Sequence, residues 1–453
     1  MPEEPRGHRA PSIDPVSVPT VSDNLVGFSS AATASVEGFT GRYLVMSKPG
    51  QEQAGMRALG RHSDIRLSFV AKAELPELSI NSIPDGRGLV FPELGVAVVN
   101  PRSENVASIS AVVAQSDDLE LMEPERFVYG NVDVDLDWLR GFRDATVEIY
   151  DRLATPTSGT VSGQTVPTFD ESQATWALQA TQVLQSRWTG RGVKIAILDT
   201  GIDQNHLDFR ARQMLPETFV LGEPVADGNG HGTHCAGSAA GVLQPNTLPR
   251  YSVAHGAELL IGKVLANSGR GTDGQILAGI NWALANGADI ISMSLGAPVA
   301  MGQNFSAIFQ QVADAALKKG ALIIAAAGNE SSRPQDIRPV GHPANCPGIM
   351  AVGAIDRNYR LGWFSNGGLN LNGGKVDIVA PGVDIYSSYP TGTPPYKRLN
   401  GTSMATPIVA GIAALFAEAT GLRGNALWAE LTRRALPLNE STSDVGAGLV
   451  QAP

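Results

Sequence analysis

The sequence predicts an α/β protein: a three-layer body with a mostly parallel central sheet, preceded by a small α+β domain. Three observations predict it. From about residue 172 onward, short apolar strands alternate with helical stretches, as in a parallel sheet covered by helices on both faces. Between residues 41 and 130 the strand-like and helical runs follow the order β-α-β-β-α-β. At 453 residues the chain is longer than a typical single domain and has room for both.

Taken in order, residues 1–40 are rich in Pro and small polar residues, which bury too little surface to offset chain entropy, and disorder is expected there. Residues 41–130 form the small domain. Tyr43–Met46 reads as a strand, a helix runs through Met56 and Leu59, and 88–91 and 96–99 read as paired strands. A second helix holds Ile109–Val113, and 119–128 is the last strand, so the domain is ferredoxin-like in order. Residues 131–171 follow as a helix at Asp137–Leu153 and a Thr-, Ser-, Gly- and Pro-rich linker. The main domain spans 172–453, with strands at 193–198, 259–264, 290–293 and 322–327 and helices at 275–284 and 308–317. In such sheets function gathers at the carboxyl ends of the strands.

Charge and composition exclude several classes. Residues 1–170 carry 24 Asp and Glu against 14 Lys and Arg, so the whole net charge of −10 sits in front and the remainder is neutral. A nucleic-acid partner would need a basic face, and none is apparent. The apolar run around Ile408–Phe416 is too short to cross a bilayer, and the first 40 residues lack a basic start followed by an apolar core. No membrane association is expected. The two cysteines, Cys235 and Cys346, read as free thiols, which leans towards a reducing compartment and a cytoplasmic location over secretion. A monomer is expected.

Four motifs carry the chemistry. Asp199 ends an apolar strand in Leu198-Asp199-Thr200-Gly201, and a buried carboxylate needs a partner. His231 opens His231-Gly232-Thr233-His234-Cys235-Ala236-Gly237, which reads as a helix start. Ser403 lies in Gly401-Thr402-Ser403-Met404-Ala405-Thr406-Pro407, where a long apolar helix begins, and helix N-termini suit a developing oxyanion. Asn329 ends Ala325-Ala326-Ala327-Gly328-Asn329 after another strand. Singly, each of these is most often a cap or a turn residue.

Together, in this order, the four motifs resemble the subtilisin-like serine protease family over roughly residues 172–453. The resemblance implies a subtilisin-like fold and a serine endopeptidase acting on polypeptides. Ser403 would be nucleophile, His231 general base and acid, and Asp199 its orienting partner. Asn329 and the Ser403 N–H would hold the oxyanion. It further implies that Ser294-Leu295-Gly296 and the segment around Gly269 clamp an extended substrate as an added strand, over an uncharged pocket floored by Gly341. The front domain resembles the family's inhibitory prodomain, an intramolecular inhibitor of a self-processing zymogen, cut at 129–135 or in the linker at 154–172.

Other readings weigh less. His231 and His234 with Asp203, His206 and Asp208 suggest a metal site, but no HExxH run is present, and neither a metal nor a cofactor is expected in catalysis. Asp208 aligns with a carboxylate that binds calcium in many relatives, so a structural calcium is open. Cys235, one helical turn after His231, reads as a small buried residue. An esterase of the α/β-hydrolase type is excluded, since no His follows Ser403. An inactive binding scaffold is disfavoured by the presence of all four site residues.

Overall fold

A computed structural model describes residues 38–70, 80–130, 168–245, 247–390 and 394–453. The chain divides into units Met1–Ser35 and Val36–Pro453, and every described residue belongs to the second. The helix expected at 137–153 and most of the expected linker lie outside the described residues.

The front segment comprises β1 (Phe39–Ser47), α1 (Glu52–His62), β2 (Arg66–Phe69), β3 (Arg87–Phe91), β4 (Val96–Asn100), α2 (Val106–Gln115) and β5 (Leu119–Gly130). Strands β5-β1-β4-β3 pair antiparallel in that order, as the ferredoxin-like reading requires. Strand β2 is an addition, running parallel to β3 at the edge. Its four residues are all half-buried or exposed, so no alternation announced it. Elsewhere the period of two is plain. Val45, Val90, Ala97 and Val99 face α1 and α2, where they meet Met56, Leu59, Ile109 and Val113. Their neighbours Leu44, Met46, Leu89, Phe91, Val96 and Val98 point the other way and join the core of the main domain. The small sheet is therefore buried on both faces.

The main domain begins with α3 (Trp176–Ala180), β6 (Lys194–Asp199), β7 (Met214–Thr218), α4 (His231–Ala240), β8 (Glu258–Lys263) and β9 (Arg270–Thr272). It continues through α5 (Asp273–Ala285), β10 (Ile290–Met293), β11 (Leu295–Gly296), α6 (Ala307–Lys318), β12 (Leu322–Ala326), β13 (Met350–Ile355) and β14 (Ile378–Pro381). A hairpin of β15 (Ile385–Ser388) and β16 (Tyr396–Leu399) precedes α7 (Thr402–Thr420), α8 (Gly424–Arg434) and α9 (Thr442–Val445). The central sheet has the order β14-β13-β12-β10-β6-β8-β7, with every neighbouring pair parallel. Near-continuous apolar runs such as Leu322-Ile323-Ile324-Ala325-Ala326, wholly buried, are what a sheet covered on both sides demands.

Helix α7 is longer than the apolar run that the sequence displays. At 19 residues it is long and apolar enough to span a bilayer by composition, but it is buried as far as Ala417 and forms the centre of the core. Gly421, left-handed at φ +73°, ends it.

One strand belongs to both domains. The first part of β5 pairs with β1, while its end, Phe127–Gly130, pairs with β9 and β11 of the main domain.

Candidate active site

Asp199 is the last residue of β6 and 1% exposed, delivered by its strand into the protein beneath α4. His231 is the first residue of α4, and the approach to it is fixed by Asp227, a residue the sequence reading passed over. One Asp227 oxygen accepts the N–H groups of Asn229 (3.0 Å) and Gly230 (2.8 Å) and the Thr200 hydroxyl (2.9 Å). The other accepts the N–H (2.8 Å) and hydroxyl (2.7 Å) of Thr233, so Asp227 serves the otherwise unpaired donors at the start of α4. Its signal was in the sequence: an Asp followed by Gly, Asn and Gly just before a helix start. Gly230 is required at φ +104°, where a Cβ would lie 2.3 Å from the Tyr389 ring.

Asp199 Oδ1 lies 2.7 Å from His231 Nδ1 and also accepts the Thr200 N–H at 2.7 Å. Burial alone would push the His231 imidazole down, but the Asp199 carboxylate, with help from Cys235, holds it well above its usual value. The far nitrogen, Nε2, is buried and has no hydrogen-bond partner among the described residues, which leaves it available to a nucleophile.

Ser403 sits in the first turn of α7, and its hydroxyl donates to the Ser294 carbonyl at 3.3 Å. The Ser403 carbonyl is unusual. The N–H that would return to it four residues on belongs to Pro407, which has none. Its bonds come instead from the Ser294 hydroxyl at 2.8 Å and the Cys235 thiol at 3.5 Å. Ser294 thus braces Ser403 with both its backbone and its side chain. Asn329 is oriented by Thr402, whose N–H (2.9 Å) and hydroxyl (2.8 Å) both bond Asn329 Oδ1. The Nδ2 group then faces Gly401 and the start of α7, where an anion would also meet the Ser403 N–H.

The substrate-side residues expected from the sequence converge on one slot. Strand β5 lies between β9 and β11, with Leu295 opposite Gly130 and Gly296 opposite Tyr129. The Gly130 N–H donates to the Gly269 carbonyl at 2.8 Å. A Cβ on Gly130 would stand 3.7 Å from His231 Nδ1, so this strand ends beside the Asp199–His231 pair. Gly341 lies beyond β11, its N–H on the Ala327 carbonyl (2.9 Å), and a Cβ there would meet the Ala297 carbonyl at 2.9 Å.

Carboxylates fasten β5 to the main domain. Glu123 caps α6, accepting from the Ser306 hydroxyl (2.6 Å) and the Ala307 N–H (2.8 Å). Glu125, fully buried, accepts the Gly274 N–H at the start of α5 (3.0 Å) and pairs with Arg42 (2.5 Å). Burial pushes its carboxyl up, against the pull of Arg42. Asp273 of α5 returns a bond, accepting the Arg126 N–H at 2.9 Å, while its other oxygen takes His342 Nε2 at 2.9 Å.

The residues of the metal reading are not gathered. His234 Nε2 bonds the carbonyls of Ile385 (2.9 Å) and Lys397 (3.1 Å), and burial pushes it down to about 3, so it is a neutral structural histidine. His206 bonds the Pro395 carbonyl and the Asp208 N–H. Asp208, the residue of the calcium reading, is buried. Its two oxygens accept the hydroxyls of Tyr251 (2.5 Å) and Tyr396 (3.1 Å). The cation-capable cluster among the described residues is Asp199, His231 and Cys235 itself. Both cysteines are free and buried.

Comparison with known proteins places this site in context. The family model described as the subtilase family, Peptidase_S8, matches residues 190–448. Subtilisin DY of Bacillus licheniformis is 42% identical over 239 residues, covering 52% of this chain and 81% of that protein. Subtilisin BL and Subtilisin Savinase, both of Lederbergia lenta, are each 42% identical over 265 residues, covering 58% of this chain and 90% of theirs.

Proposed function

The chain belongs to the subtilase family and is a subtilisin-like serine endopeptidase; from that premise we propose that it works through Ser403, His231 and Asp199 and is held as a zymogen by residues 39–130. The observation that carries the proposal is the 2.7 Å Asp199–His231 pair, next to Ser403, with a strand of the same chain lying where a substrate would.

In the reaction the Ser403 hydroxyl turns from the Ser294 carbonyl to His231 Nε2 and attacks the scissile carbonyl carbon as its proton passes to that nitrogen. Asp199 holds the ring's orientation and favours its charged form. The tetrahedral oxyanion takes bonds from Asn329 Nδ2 and the Ser403 N–H. Collapse expels the amine, which leaves with the proton from His231, and an ester to Ser403 remains. Water, deprotonated by His231, repeats the sequence in reverse and frees the acid.

The register of β5 supports a reading of where the chain would cut itself. Gly130, the last described residue of this strand, lies opposite Leu295, and the residue before Leu295 is Ser294, whose carbonyl meets the Ser403 hydroxyl, which argues for a cut one residue beyond Gly130. The bond we propose is Asn131–Val132, within the interval expected from the sequence. A tethered strand faces the cleft at an effective concentration in the roughly millimolar range, so modest docking suffices to block it. Mass spectrometry of the expressed protein should find a new N-terminus at Val132, and Ser403→Ala should stay full length and unlabelled by a fluorophosphonate. A wild-type chain that is fully active and uncut would exclude the zymogen.

With both Asp208 oxygens on tyrosine hydroxyls, we also propose that this position is calcium-independent. A chelator should leave the melting temperature unchanged, and a drop of several degrees that calcium restores would exclude this.

A further inference from the structure

We infer that Arg270 is a specificity-determining residue, reading an aromatic side chain at the fifth residue before the scissile bond and, more weakly, at the third. The inference rests on the endopeptidase reading above and deepens it.

The substrate slot is nearly bare on one side. Gly269 and Gly271 flank Arg270, so this edge offers backbone hydrogen bonds, which carry affinity without selectivity, and one long side chain. In the β5–β9 register Tyr129 lies opposite Arg270, Val128 opposite Gly271 and Phe127 opposite Thr272. Successive side chains of a strand point to opposite faces. Val128 is buried on the inner face, and Phe127 and Tyr129 share the outer one with Arg270. The guanidinium carbon lies 3.6 Å from the Phe127 ring centroid and 6.0 Å from that of Tyr129. The first distance is a stacked contact and the second the outer limit of cation–π attraction. Among the described residues Arg270 forms no ion pair, so the Phe127 ring is what it engages.

A substrate entering after β5 departs takes the same slot in the same register, since β9 and β11 bond its backbone and not its side chains. With the cut after Asn131, Phe127 stands at the fifth position and Tyr129 at the third. The planar guanidinium can stack there as an ammonium cannot. An exposed contact of this kind contributes roughly two- to fivefold in affinity. The ring takes no part in bond making, and a contact that is equal in the ground and transition states changes KM and not kcat.

The test uses the self-processed wild type, Arg270→Ala and Arg270→Lys on an internally quenched peptide of residues 125–135 and on copies with Phe127 replaced by Ala or Glu. Wild type should cut the Phe peptide with about two- to fivefold higher kcat/KM than the Ala peptide, through KM. Arg270→Ala should cut both alike, and Arg270→Lys should keep less than half of the preference. Equal rates on the two peptides in wild type, or an undiminished preference in Arg270→Ala, would overturn the inference. So would a Glu peptide cut faster than the Phe peptide, because Arg270 would then read charge. A wild type that cuts none of the peptides would overturn the endopeptidase mechanism itself, and the inference with it.

Discussion

In the proposed mechanism His231 must be neutral before it can accept a proton from Ser403. Because Asp199 holds its pKa above the usual 6.5 against burial, the imidazole is charged at mildly acidic pH and activity is lost as pH falls through that raised value. The acid limb of kcat/KM should therefore lie above 6.5. Asp199→Asn should move it downward while reducing kcat on the order of 10⁴-fold, as the carboxylate that orients the ring is gone. A limb that stays put in Asp199→Asn would assign it to another group. At this scale the sequence was informative where a residue type is demanded by chemistry. Asp199, His231, Asn329 and Ser403 were legible from their motifs. Asp227 and the double role of Ser294 were not, because each acts through hydrogen bonds to backbone groups that become neighbours only in the fold. Ser294 lies 109 residues from the Ser403 carbonyl that its hydroxyl supports.

Among the elements, α5 is the one whose sequence serves two masters. Gly274, its second residue, is a poor helix former, and Ala there should favour the helix by up to about 1 kcal/mol. Yet a Cβ would lie 2.6 Å from Glu125 Oε1, 3.0 Å from Ile80 Cδ1 and 3.1 Å from Val98 Cγ2, all in the front domain. Gly274→Ala in the Ser403→Ala background should loosen the β5 amides by roughly 1–3 kcal/mol of hydrogen-exchange protection. The amides of α5 itself should be no less protected. Loss of protection throughout α5 would mean that the glycine serves the helix and not the docking. The elements that the sequence displayed were those with one clear period. The front sheet and the buried parallel strands fell within a few residues of their expected limits. Strand β2 was invisible for want of a buried face. The end of β5 was visible as a strand, but its partners β9 and β11 lie some 140–165 residues further on, beyond what periodicity can reveal.

At the scale of the whole molecule, β5 closes a slot whose two walls are strand edges. When that strand leaves, the backbone donors and acceptors of β9 and β11 that it had satisfied face solvent, and they do not distinguish a substrate from another copy of the enzyme. The protein's own surface offers accessible chain, such as the bend around Leu371, whose side chain is fully exposed, next to the glycines 373 and 374. The lifetime of the activated enzyme is thus a matter of how crowded it is. Each molecule is a target for every other, and decay of activity should be second order in enzyme, its half-life halving when concentration doubles. Decay that is first order over a tenfold dilution series would locate the loss in unfolding of single molecules. If the chain is the zymogen proposed above, the uncut form, with both edges filled, should keep indefinitely by comparison, and the cut that starts the enzyme working would also start a clock that runs faster the more of it there is.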